Sequence, residues 1–160
     1  MNDETRRTFL KAAPAVASAA VLGGVSGAAS AGEPPAAGRR IVPGSTSPAY
    51  SRAVVFDKTV FAAGVLGVKP GALAPVSPEF EPQCRQALEN LKASVEAAGS
   101  SMDKVLQCTC FLTDVADFPA MNRVYLTFFP SDPPARSTVV VKELVMTGAK
   151  FEVDCVACLP

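Results

Sequence analysis

Histidine is absent from the 160-residue chain. That removes the imidazole general base, the Ser-His and Cys-His nucleophile pairs and every His-ligated metal. Chemistry has to come from arginine, lysine, carboxylates, thiols, hydroxyls or backbone. Arg136 stands out among these groups. It follows Pro133-Pro134-Ala135 and opens the β-branched run Ser137-Thr138-Val139-Val140-Val141. A guanidinium at a rigid strand entrance offers a planar fork of parallel N–H donors, which suits a substrate carboxylate. The plainer alternative is a surface arginine paired with Asp132. Glu152 and Asp154 stand two residues apart, so on a strand they share one face. Paired carboxylates on a buried strand are costly unless partnered, and a glutamate whose proton affinity is raised there can move a proton or place a water. A solvated polar face is the plainer alternative for that pair.

Five cysteines invite a redox or metal reading. Cys108 and Cys110 are i, i+2 and point the same way on a strand, which is poor geometry for a disulfide between them. Cys155 and Cys158 have C-x-x-C spacing, but on a strand they face opposite sides and lack the helix N-terminus that activates such a thiol. Cys84 falls on an apolar helix face. The thiols read as small buried hydrophobes, with no four sulfurs converging to hold a zinc ion. Lys plus Arg and Asp plus Glu both number 15, so no net field favours nucleic acid or an anionic membrane.

The elements that must position these groups follow from periodicity. Ala53-Val54-Val55-Phe56 and Thr59-Val60-Phe61-Ala62-Ala63 flank Asp57-Lys58 as a hairpin. From Glu81 to Ala98 the period becomes helical, with Cys84, Ala87, Leu88, Leu91, Val95 and Ala98 on one face and Gly99 as the stop. Val105 to Thr113 alternates as a strand. Asp117 is placed to cap a second helix whose apolar face is Phe118, Met121, Val124, Tyr125 and Phe128. Arg136–Val141 and Phe151–Leu159 read as strands around a Met146-Thr147-Gly148 turn. The expected architecture is α+β, a single ββαβαββ sheet covered by two helices. Val139, Val141, Val153, Val156 and Leu159 exceed what two helices can cover, which predicts a homo-oligomer.

The start of the chain reads as an address. Thr5-Arg6-Arg7-Thr8-Phe9-Leu10-Lys11 precede an Ala/Val/Gly-rich run reaching about Ala29, the layout of a secretory signal. The arginine pair followed by Phe-Leu-Lys resembles the twin-arginine export consensus. Ala29-Ser30-Ala31 supplies a cleavage site. Residues 1–31 are therefore expected to be the signal, 32–44 a flexible Pro/Gly-rich leader and 45–160 the folded domain. The expected location is the periplasm or the exterior of a bacterium, with no permanent membrane anchor, because the run is small-residued and broken by glycine.

Four blocks carry a further signal: Gln86-Ala87-Leu88-Glu89-Asn90-Leu91-Lys92-Ala93, Glu96-Ala97-Ala98-Gly99, Phe111-Leu112-Thr113-Asp114 and Pro134-Ala135-Arg136-Ser137-Thr138-Val139. In order and spacing they resemble the RidA/YjgF family, from about Tyr50 to Leu159. The resemblance implies a chorismate-mutase-like fold, a homotrimer with ligand clefts between subunits, and cofactor-free hydrolysis of enamine and imine intermediates of amino acids to 2-oxo acids and ammonia. The implied partner is a small imine or 2-oxo carboxylate, not nucleic acid. Arg136 then corresponds to the arginine that grips the substrate carboxylate and Glu152 to the glutamate that orients or activates water. Tyr50, Gly64 and Asn122 fall on residues lining the cleft. Two segments depart from the pattern: Pro48-Ala49-Tyr50 stands for Gly-Pro-Tyr, and Ala63-Gly64-Val65 for Ser-Gly-Gln. A hydroxyl and an amide are lost there, so the alternative is a cleft that binds small carboxylate metabolites without turning them over.

Overall fold

The computed structural model describes residues 38–45 and 47–160. The signal expected over 1–31 and the first part of the leader lie outside the described residues. Six strands form one mixed sheet: β1 Arg40–Val42, β2 Ala53–Phe56, β3 Thr59–Leu66, β4 Val105–Leu112, β5 Ala135–Val140 and β6 Phe151–Cys158, in the order β1-β2-β3-β6-β4-β5. Every neighbouring pair is antiparallel except β4 and β5. Helices α1, Phe80–Ala97, and α2, Phe118–Phe128, connect the strands. The last strand in sequence thus lies in the middle of the sheet, between β3 and β4.

Apolar periodicity explains the core. Cys84, Ala87, Leu88, Leu91 and Val95 of α1 are fully buried against Val60, Cys108, Cys110, Leu112, Phe151, Val153 and Ala157 of the sheet. Gly99 ends α1 at φ +92°, a left-handed conformation that a side chain disfavours, and its N–H donates to the Glu96 carbonyl at 2.9 Å. Gly67 is required by close approach, because a Cβ there would collide with the α1 backbone at Gln83. Gln83 itself is buried and ties loops together, donating to the Ser77 and Gly148 carbonyls and accepting from Lys150 N–H. Among the described residues no helix is long and apolar enough to cross a membrane.

Three expectations change. The stretch Arg40–Val42, read as leader, is an edge strand: it pairs with β2 and buries Val42, so the order is βββαβαββ. Three residues are too short for a sequence pattern, and only the partner strand makes them β. Asp117 does not cap α2 with its side chain; Asp114 does the capping one step earlier, accepting from Ala116 N–H at 2.8 Å at a short 3₁₀ turn, Val115–Asp117. Finally, Val153 is not on the uncovered face. Strict alternation along β6 sends Phe151, Val153 and Cys155 into the core and Glu152, Asp154 and Val156 to the other side. The uncovered face instead carries Phe61, Phe111 and Val139 beside Val156, with Phe61 half exposed.

Candidate active site

Arg136 lies on the helix side of the sheet, in register with Cys108 of β4. It does not pair with Asp132. Its Nη2 donates to Asn122 Oδ1 at 2.8 Å, and the guanidinium carbon sits 4.6 Å from the centre of the Tyr125 ring and 5.8 Å from that of Phe118. Phe118, Asn122 and Tyr125 are spaced four and three apart, so one face of α2 supplies all three contacts. Stacking fixes the guanidinium plane while the bond to Asn122 engages one donor group, leaving other N–H donors of the fork for an anion. The Tyr125 hydroxyl is buried with no hydrogen-bond partner. Burial pushes its proton affinity up, so it stays neutral.

Glu152 lies on the opposite face. Its cross-strand partners are Phe111 and Leu66. The β3–β6 register slips between Ala62 and Val65, and the irregularity brings Gly64 against the Glu152 carboxylate. A Cβ on Gly64 would collide with Glu152 Oε1. The absent side chain is therefore what allows this carboxylate to lie on the strand backbone. Burial pushes the Glu152 carboxyl above the usual range, and the neighbouring Asp154 charge pushes it the same way. Such a group is suited to trading a proton with bound water.

Tyr50 is 57% exposed and, with Gly64, lines a cavity of about 350 Å³ between α1 and the end of β3. The candidate residues thus form two groups. Arg136 and Asn122 touch each other; Gly64 touches Glu152 and shares a cavity with Tyr50. The sheet separates the groups, so a single chain does not bring Arg136 and Glu152 to one substrate. The stacking role of Tyr125 and Phe118 is absent from the sequence reading, which takes both as core. Their i, i+4, i+7 alignment with Asn122 was the available signal.

The four buried thiols offer no nucleophile. Burial pushes Cys84, Cys110 and Cys155 up to about 12 and Cys108 up to about 11, which keeps them protonated at neutral pH. Among the described residues no cluster of three or more ligating side chains could hold a metal ion.

Known proteins similar to this chain identify its family. The family model described as Endoribonuclease L-PSP matches residues 43–159. The RutC family protein UK114 of Drosophila melanogaster is 44% identical over 108 residues, which is 68% of this chain and 78% of that protein. The 2-iminobutanoate/2-iminopropanoate deaminase of Homo sapiens is 35% identical over 115 residues, covering 72% of this chain and 82% of that one. The crystal structure of E. coli TdcF with bound serine is similar with a TM-score of 0.69 at 33% identity, covering 76% of this chain and 99% of that one. A six-stranded mixed sheet packed with two helices, and a match over nearly all of the folded part, lead to one conclusion: this chain belongs to the Endoribonuclease L-PSP family, that of RidA and YjgF.

Proposed function

We propose that the protein hydrolyses 2-imino acids and their enamine tautomers to 2-oxo acids and ammonia, without a cofactor, in clefts between the subunits of a homotrimer. The observation that carries this reading is the pair of prepared half-sites on opposite faces of one sheet: a stacked, hydrogen-bonded arginine and a glutamate of raised proton affinity set against a bare strand backbone. A second subunit laid on the first supplies the missing half. The exposed Phe61 and Val139 favour such packing, being large apolar groups that water disfavours. The human relative carries the name of this activity, and the serine held by the E. coli relative is itself a small amino acid with a carboxylate.

The chemistry asks little of the protein. An iminium carbon is already electrophilic. Arg136 holds the substrate carboxylate, and the carboxylate of Glu152 accepts a proton from water as its oxygen bonds to the imine carbon. Glu152 then returns that proton to nitrogen. As the C–N bond breaks, the hydroxyl on the same carbon gives its proton to the Glu152 carboxylate and becomes the carbonyl. Glu152 passes that proton to the departing ammonia. Water and imine thereby give ketone and ammonia with no redox change. Orientation of two small reactants accounts for such acceleration.

The test couples the full-length protein to an amino-acid oxidase and follows decay of the imine. Wild type is expected to speed decay, and Arg136→Ala to lose on the order of a hundred- to a thousandfold in kcat/KM. Full activity in Arg136→Ala would overturn the assignment. No acceleration by wild type across several side chains would leave the carboxylate-binding alternative, which the Ala63-Gly64-Val65 segment favours.

Export rests on Thr5–Lys11 and the run after it. A periplasmic or secreted location implies that the imine arises from amino-acid oxidation outside the cytoplasm. Fractionation of a bacterial host checks this: the wild-type chain is expected outside the cytoplasm, and a chain with Arg6→Lys and Arg7→Lys inside it. Equal distribution of the two would remove the export reading.

A further inference from the structure

The cavity beside Gly64 has a charge pattern that the hydrolysis of small apolar imines does not use. Its lining carries two cationic side chains, Arg52 and Lys69, and no acidic one. Arg52 is half-buried. Its Nε donates to Ser94 Oγ at 3.0 Å, and its backbone carbonyl accepts from Ala63 N–H at 3.1 Å. Ser94 is buried and its hydroxyl is committed to the Asn90 carbonyl at 3.0 Å. Arg52 is therefore held at its Nε from α1 and at its backbone from β3. Among the described residues its terminal nitrogens donate to nothing, and no carboxylate lies within ion-pair distance of either Arg52 or Lys69. A tethered, half-buried guanidinium without a counter-ion is a costly arrangement, and an anion filling the cavity relieves it.

The ligand class follows from where the cavity opens. Tyr50 and Gly64 line it, and Gly64 also lies against Glu152. β2 pairs with β3 only as far as Ala62, so Gly64 lies on an open stretch of sheet edge, and a substrate side chain reaching from the Glu152 face round that edge enters the cavity on the α1 side. The geometry points to a substrate with a second carboxylate: the protein takes 2-imino dicarboxylates, the imines of acidic amino acids, with the side-chain carboxylate on Arg52. This deepens the hydrolase reading and rests on it. It also gives a physical use to the apolar Val65 in the cavity wall, since low polarity around a guanidinium strengthens its pairing with a carboxylate.

Calorimetry on the full chain tests this with two 2-oxo acids, in which a ketone oxygen stands where the imine nitrogen would be: 2-oxoglutarate and 2-oxobutanoate. Wild type is expected to bind the dicarboxylate more tightly by about tenfold or more, and Arg52→Gln to erase that ratio. Lys69 is exposed and makes no side-chain hydrogen bond among the described residues. Lys69→Gln therefore spares the fold, and it is expected to lower the ratio by about two- to threefold. Arg52→Lys, which keeps the charge, is expected to retain part of the preference. Equal affinities in wild type, or a ratio unchanged in Arg52→Gln, overturn the proposal. Should Arg52→Gln fail to fold, an unchanged ratio in both Lys69→Gln and Arg52→Lys overturns it. Arg136→Ala separates the two readings. Weakened binding of both ligands supports the shared cleft. An effect of Arg52→Gln with none of Arg136→Ala means that the cavity binds dicarboxylates and the cleft assignment is wrong.

Discussion

The Arg136 half-site and the Glu152 half-site are built in opposite ways. Arg136 is enclosed by its own chain: one helix supplies a hydrogen bond and two aromatic faces, so the guanidinium is oriented before any ligand arrives. Glu152 accepts no side-chain or backbone hydrogen bond among those found in the described residues, and its position depends on what is missing at Gly64. One half is a rigid clamp. The other is a carboxyl left under-solvated, next to a like charge, so that its proton is exchangeable. On the proposed hydrolysis, the contrast teaches that binding and proton transfer need different surroundings. In the hydrolase proposed above, a second copy of the chain would bring the two faces to one substrate.

The largest effect should come from recombining the halves. Arg136→Ala and Glu152→Gln chains are each expected to be nearly inactive in the coupled imine assay. Assembled together from a denatured one-to-one mixture, they should recover about a quarter of wild-type activity, because random neighbours give that fraction of intact clefts. Mixtures no better than the separate variants would mean that the halves do not share a cleft.

A smaller contrast separates two glycines three residues apart. At Gly64 an added methyl meets the end of the flexible Glu152 side chain, whereas at Gly67 it meets the α1 backbone. Gly64→Ala is expected to lower kcat by about tenfold or more while costing less than about 1 kcal/mol of stability. Gly67→Ala should cost about 2–3 kcal/mol in chemical denaturation, because a helix must move. Similar stability losses for the two would show that Gly64 serves packing and not the placement of Glu152.

The smallest effect concerns pH. Glu152 has a raised proton affinity in the folded state, so its protonated form favours folding. That contribution is present below the ordinary glutamate range and is lost as pH rises through the Glu152 titration. Glu152→Gln removes the charge and should raise Tm at pH 7 by about 1–2 °C, with no gain near about pH 4. A lower Tm at pH 7 would contradict the burial and like-charge account. In the wild type, hydrolysis should fall as acid protonates Glu152, at a pH above that of an ordinary glutamate.

Much of this was legible in the sequence. Helix α1 shows in the spacing of Cys84, Leu88, Leu91 and Val95, and the β2–β3 hairpin shows in its two-residue turn, where Asp57 takes φ +53°. Alternation placed Glu152 and Asp154 on one face of β6. Arg136 stands out by its type and its proline-held entrance, and the structure surrounds it with Asn122, Tyr125 and Phe118. The edge strand at Arg40–Val42 was hidden because its β character comes from β2. The same is true of the cap at Asp114, where a short 3₁₀ turn intervenes before α2. Tyr125 belongs to the core as its spacing says, while Phe118 is partly exposed; that both also stack on Arg136 shows only once the strand carrying Arg136 is laid beside their helix.

The sequence by itself determined the local elements and the inventory of reactive groups, since both depend on residue type and on periods of a few residues. Only the tertiary structure decided which groups meet. Insertion of β6 between β3 and β4 carries Glu152 to Gly64, and parallel pairing of β5 with β4 carries Arg136 beneath α2. Those pairings join segments far apart in the chain. They are selected by the burial of a whole sheet face under two helices, a property that no short stretch of residues contains.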